Sequence, residues 1–168
     1  MIELRLCKVV MAASLALFAS LVAVDNLVDY NSNYSFVQHV LSMDTTFPNN
    51  TLRWRAITQP TLWQAAYWMI ILGEALTGAA YSIGSIALLR SLRASGATFN
   101  RSKRFVYLAT AVGFLVWFFG FMVIGGEWFS MWQSPAWNGQ EAAFRFYAAL
   151  LGVGIFIALE DRDLIHSA

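Results

Sequence analysis

The residue of this chain with the clearest chemical potential is Glu74, a lone carboxyl near the middle of the apolar run 62–89. A carboxylate in hydrocarbon is costly, so such groups face protein or a water-filled cavity and often mark a proton or ligand path. Two roles are open to it: an acid hydrogen-bonded to a neighbouring helix for packing, or a switchable proton or ligand site. A second set lies outside the apolar runs: Asp25, Asn26, Asp29, His39, Asp44, Arg53, Arg55, Glu127 and Glu141. Carboxylates with a histidine can hold a metal, but this spacing matches no ligand motif, and Arg53 and Arg55 compete for the same carboxylates. A salt-bridged cap is the simpler expectation, with Arg145 paired to Glu141 one helical turn before it. A third set runs through residues 125–129 (Gly-Gly-Glu-Trp-Phe) to Trp132 and Trp137. Its glycines allow a sharp exit from a helix. The rings of Trp128, Phe129, Trp132 and Trp137 either anchor a loop among lipid headgroups or dock a partner.

Several chemistries are missing from this inventory. Cys7 is the single cysteine, so no internal disulfide or CxxC relay is available. His39 and His166 are the two histidines, and neither lies in an apolar run, which removes a pair of axial haem ligands. Ser35 and Ser42 lie near His39 but fit no nucleophile motif. The net charge is +1 and no basic stripe with interleaved aromatics is present, so no nucleic-acid partner is expected. No cofactor or metal is called for, and the balance points away from an enzyme.

The elements that must position these groups are membrane helices. Of 168 residues, 58% are hydrophobic and 12% charged, about half the charged share of a soluble domain; the mean hydropathy is +0.55. The apolar residues cluster in four runs, 6–24, 62–89, 105–126 and 142–159, each near the ~20 residues that cross a ~30 Å hydrocarbon layer. This predicts an all-α membrane protein with one four-helix transmembrane domain. The first run has the basic start of a signal peptide, but continues to Val24 with no clear small-x-small cleavage site before Asp25, so it is read as a retained helix.

Eight of the eleven basic residues (Arg5, Lys8, Arg90, Arg93, Arg101, Lys103, Arg104 and Arg162) fall on one side of this topology; Arg53, Arg55 and Arg145 fall on the other. The positive-inside rule then places both termini and the basic loop 90–104 in the cytoplasm. Trp54, Trp63, Trp68, Trp128, Trp132 and Trp137 fall at or beyond the outer ends, as interfacial rings do, and Trp117 alone lies deep in a span. The long first outer connection, 25–61, contains an amphipathic pattern over 35–43 that predicts a short helix.

Stepping ~100° per residue from Glu74 puts Tyr67, Gly78, Tyr81 and Ser85 on its face. Ala65, Met69, Leu72, Leu76, Ala79, Ile83 and Ile86 form the opposite, apolar face. Glu74 is therefore expected to point into the bundle, near the midplane, roughly 18 Å below the outer end of its helix. Small residues offer close packing on the first helix (Ala12, Ala16, Ala19, Ser20, Ala23) and on the third (Ala109, Gly113 and Gly120, around Trp117). On the fourth, Glu141, Arg145, Ala149, Gly152 and Phe156 align as the expected packing face.

The residues 25–26 (Asp-Asn), 29–30 (Asp-Tyr), 36–44 (Phe-Val-Gln-His-Val-Leu-Ser-Met-Asp), 54–57 (Trp-Arg-Ala-Ile), Glu74, 126–129, 132–134 and 137–139 together carry a resemblance. The chain resembles, over nearly its whole length, a bacterial family of predicted small integral membrane proteins whose domain has no assigned function. The resemblance implies four helices in a bacterial inner membrane and implies no activity. Four-helix thiol oxidases share the shape but need paired cysteines; small multidrug exporters share a buried glutamate but lack the long outer loop. The leading expectation is a non-enzymatic accessory or assembly subunit of a larger membrane complex, with a homo-oligomer also open and the lipid bilayer as its medium. The alternative is a small proton-coupled transporter or ligand-binding bundle that uses Glu74.

Overall fold

The four apolar runs wind into helices because hydrocarbon offers no water to satisfy backbone polar groups, and a helix satisfies them internally. A computed structural model describes residues 2–163, and every regular element among them is helical. His166 lies outside the described residues. Helix α1 (Ile2–Val28) runs four residues past the apolar stretch and so carries Asp25 and Asn26 on its last turn. Helix α2 (Tyr30–Ser42) starts at once after Asp29 and is longer than the pattern over 35–43 implies. Helix α3 (Pro60–Arg90) opens with its proline in the first turn, where the missing N–H costs nothing. Helices α4 (Gly96–Ser102) and α5 (Arg104–Phe114) lead directly into a π-helix (Leu115–Trp128), and α6 (Gln140–Ala158) closes the chain. Four stretches are long and apolar enough to cross a membrane: Ile2–Val28, Pro60–Arg90, Gly96–Trp128 and Gln140–Ala158.

The basic loop expected over 90–104 is mostly helix. The turn is confined to residues 91–95, because Ser95 caps α4 by accepting the Thr98 N–H at 3.3 Å. The third span thus begins nine residues earlier than its apolar run, at Gly96 rather than Phe105.

Packing follows the small residues. Ala12, Ala16, Ala19 and Ala23 of α1 are buried against α3. A Cβ on Gly78 would lie 2.9 Å from the Ser20 backbone nitrogen, so the two helices touch there only because Gly78 has no side chain. On α3 the stripe Tyr67, Glu74, Tyr81 and Ser85 is buried, while Met69, Leu72, Leu76, Ile83 and Ile86 are exposed. Of the face expected for α6, Phe156 alone packs against the core. Glu141, Arg145, Ala149 and Gly152 are exposed, and Ala143, Leu150, Gly154 and Ile157 make the contact. Glu141 and Arg145 satisfy one another on the surface and need no partner helix, while Gly154 gives the close approach, against Thr110 of α5.

The bundle has two unlike ends. Both described chain ends meet at one of them, where Arg5 donates to the Arg162 carbonyl at 2.8 Å. At the opposite, loop end, α2 folds over α3 and the loop after the π-helix. It builds a second core from Val37, Val40, Leu41, Met43, Tyr67, Ile71, Phe129 and Met131. Its loops are tied by Ile57 N–H to Leu41 O (2.8 Å), Thr45 Oγ1 to Ser134 Oγ (2.8 Å) and Phe47 N–H to Gln133 Oε1 (3.1 Å). Met43 and Ser130 hold left-handed backbones (φ 52° and 54°). That conformation costs roughly 1–2 kcal/mol per non-glycine residue, and both are kept in it by burial in this core, at 1% and 2% exposure.

Candidate functional site

Glu74 is 2% exposed. Its Oε2 accepts a hydrogen bond from Asn26 Nδ2 at 2.6 Å, its one hydrogen bond among the described residues. Tyr67, two turns earlier on the same stripe, donates its hydroxyl to the Asn26 backbone carbonyl at 2.7 Å and lies 3.3 Å from Asn26 Oδ1. One asparagine thus ties Tyr67 and Glu74 of α3 to the last turn of α1. A carboxyl can accept several hydrogen bonds and this one receives a single amide N–H. Beside it, Tyr30 packs edge-on to Tyr67 (4.9 Å) and stacks on Tyr34 (5.7 Å), with its hydroxyl buried and without a partner.

Glu74 is level with Asn26, two residues from the end of α1, and Asn26 stands 18 residues beyond the buried Lys8, or ~27 Å along the helix.

The rest of the stripe does not converge on Glu74. The Tyr81 hydroxyl bonds Thr110 Oγ1 of α5 at 2.8 Å, and Ser85 and Thr77 return their hydroxyls to the carbonyls of Tyr81 and Gly73 (2.7 Å each). Trp117 packs between Phe18 and Phe146, with ring centroids 5.8 and 5.7 Å away. These four serve the bundle's interior.

The polar set expected as one cap is dispersed over the loop end. His39 Nδ1 lies 2.8 Å from Asp44 Oδ2, and its ring stacks on Trp137 at 4.5 Å. Asp29 accepts from Ser32 at 2.9 Å. Glu141 pairs with Arg145. Asp25, Arg53 and Glu127 are exposed. Neither Arg53 nor Arg55 has a carboxylate partner among the described residues. Arg55 instead donates to the Trp128 carbonyl (3.2 Å) and lies over the rings of Trp128 (4.5 Å) and Trp54 (5.4 Å). The flat guanidinium is suited to indole faces. No group of three or more His, Cys, Asp or Glu side chains among the described residues is placed to hold a metal ion. Of the docking rings, Trp128 and Trp132 are about half exposed. Trp137 is half-buried on His39, and Phe129 is buried at 4%, closed to any partner.

Sequence reasoning assigned Arg5, Lys8 and Lys103 to topology alone; the structure buries all three, at 1% exposure or less. Lys8 Nζ and Lys103 Nζ each stand 2.6 Å from Asp161 Oδ2, and both donate to the Leu159 carbonyl at 2.7 Å. Arg5 lies 4.0 Å from Asp161 Oδ1 and donates to the carbonyls of Leu92, Ala94 and Arg162. Three cations against one carboxylate are tolerable because the remaining acceptors are carbonyls beyond the C-terminal ends of α3 and α6, where the helix dipole is negative, together with Asn100 Oδ1, which accepts from Lys103 Nζ at 2.6 Å. Burial works against the ionised Asp161 carboxyl, but hydrogen bonds from Lys103 and Lys8 outweigh it and hold the group below the usual carboxylate range. The available signal was Asp161 itself, an acid just past the last apolar run.

Four apolar helices around a small-residue core, with polar groups gathered at their ends, define a multi-span helical membrane protein. The chain belongs to the family described as "Predicted small integral membrane protein (DUF2165)", whose model matches residues 4–160. No curated protein and no solved structure matches it.

Proposed function

We propose that the protein is a non-enzymatic accessory or assembly subunit of a larger complex in a bacterial inner membrane, with its termini in the cytoplasm. One observation carries this reading: the loop end is a hydrogen-bonded roof that presents Trp54, Trp128, Trp132 and Phe47, each about half or more exposed. Phe47 and Trp132 meet edge to face at 5.8 Å, which gives a held aromatic pair rather than a loose loop. Rigid exposed aromatics are the usual anchors of a protein interface. The orientation rests on the exposed Arg90, Arg93, Arg101, Arg104 and Arg162 at the termini end. The test is purification in mild detergent of the parent and of a Phe47→Ala, Trp132→Ala double variant from the same cells. The parent is expected to bring down a specific polypeptide that the variant loses while keeping its fold. A parent that runs alone sinks the proposal.

The single hydrogen bond received by Glu74, with the unpartnered Tyr30 hydroxyl on the Tyr67 ring nearby in the same stripe, favours a second reading in which Glu74 takes up a proton or binds a small ligand. Under it, Glu74→Gln loses proton-linked uptake with the fold intact. Equal uptake by parent and variant removes it.

A further inference from the structure

We propose that a cavity between α2, α3 and the π-helix holds one acyl chain of a membrane phospholipid, with the lipid phosphate on Arg55. The cavity has a volume of about 460 Å³, and all seventeen residues that line it are apolar. That size lies within the ~300–1,000 Å³ of ordinary ligand sites. Ligand sites normally include a few polar groups that fix orientation; here no lining side chain offers a nitrogen or oxygen, so the occupant of the cavity itself is hydrocarbon. Left empty, such a space forfeits dispersion contacts along every wall. The walls are also fixed in place. Leu41 on α2 is tied to Ile57 at 2.8 Å, and Ile124 on the π-helix accepts from the Phe129 N–H at 3.0 Å.

Arg55 joins these two walls at the loop end. It is two residues from Ile57, and it donates to the carbonyl of Trp128, which leaves the π-helix four residues after Ile124. A guanidinium has five N–H donors in a planar fork. Only this one bond is made among the described residues, and the Arg55 Nε is buried with no partner. The Arg55 Nη2, by contrast, makes no bond among the described residues and is not closed off, so it is open to a bound oxygen. Phosphate matches the fork with two parallel bonds. Trp54 and Trp128, on which Arg55 lies, are exposed rings of the kind that settles at the headgroup level, which suits a phosphate partner for the charge.

Native mass spectrometry of the delipidated full-length protein tests this, with palmitoyl-oleoyl phosphatidylglycerol as the probe. The parent is expected to retain one lipid under activation that strips loosely bound ones. Ala66→Phe fills the cavity from α3 and Val112→Phe fills it from α5; each is expected to abolish retention while circular dichroism and gel filtration remain those of the parent. Arg55→Gln is expected to lower phosphatidylglycerol retention about tenfold, consistent with loss of a charge-assisted bond. The same variant should leave retention of a diacylglycerol, which lacks the phosphate, unchanged. Equal retention of phosphatidylglycerol by the parent and Arg55→Gln, or by the parent and a folded cavity-filled variant, overturns the proposal.

Discussion

At the termini end, Lys8 and Lys103 close on Asp161 at 2.6 Å and Arg5 spends its donors on three carbonyls; at the loop end, Arg55 makes one hydrogen bond and rests on two indole rings. The first arrangement is complete within the chain. The second leaves donors and aromatic surface unused. The contrast teaches that basic residues at a membrane boundary are not one class: those with internal acceptors lock the fold, and those without are open to something else.

The largest effect should follow from breaking the closed end. Asp161→Asn leaves Lys8 and Lys103 buried without their carboxylate, and is expected to cost about 3–5 kcal/mol, read as a lower unfolding midpoint in detergent. The same network predicts a pH dependence. Because the folded Asp161 carboxyl sits below its usual range, its contribution is fully present above the unfolded value of about 3.9. It is lost as pH falls through the depressed folded value. Acid titration should therefore destabilise the parent more than Asp161→Asn. Identical acid profiles would show that the ion pairs do not hold this end.

A smaller cost is expected where α1 meets α3. A leucine at Gly78 runs into Ser20 backbone, 2.9 Å from the first added carbon, and overpacking of this kind costs about 1–3 kcal/mol. Asn26→Ala removes the partner of Glu74 and should cost a comparable ~1–3 kcal/mol. Glu74→Gln keeps an acceptor oxygen toward Asn26 and should cost clearly less in the same melts. A Glu74→Gln loss as large as that of Asn26→Ala would mean that the carboxylate charge itself matters. The smallest effect on stability belongs to the open end: Trp132→Ala should cost under about 1 kcal/mol, since it gives up chiefly one edge-to-face contact. Its consequence should appear instead in what the protein binds.

The parts of this structure legible in the sequence were those with a local signal. The hydropathy runs mark the four spans, and the 100° projection around Glu74 separates the buried face of α3 from its exposed one. What was hidden depends on register between distant segments. Lys8 and Asp161 are 153 residues apart, and nothing in either neighbourhood announces the pair. Asn26 looked like loop because the apolar run stops at Val24, although the helix continues to Val28 and its last turn is tied to α3 through Asn26. The α6 face failed differently: small size and alignment suit packing, but the Glu141–Arg145 pair and an open Gly152 mark it as outer surface. The π-helix carries no sequence pattern of its own.

The most direct measurement is site-specific photo-crosslinking in living cells, with the crosslinking residue placed at Trp132 in the loop end and at Arg93 in the termini end. Both positions are exposed. The account predicts a discrete adduct with another polypeptide from position 132 and none from position 93. Adducts from position 93 alone, or none from either site, would contradict it.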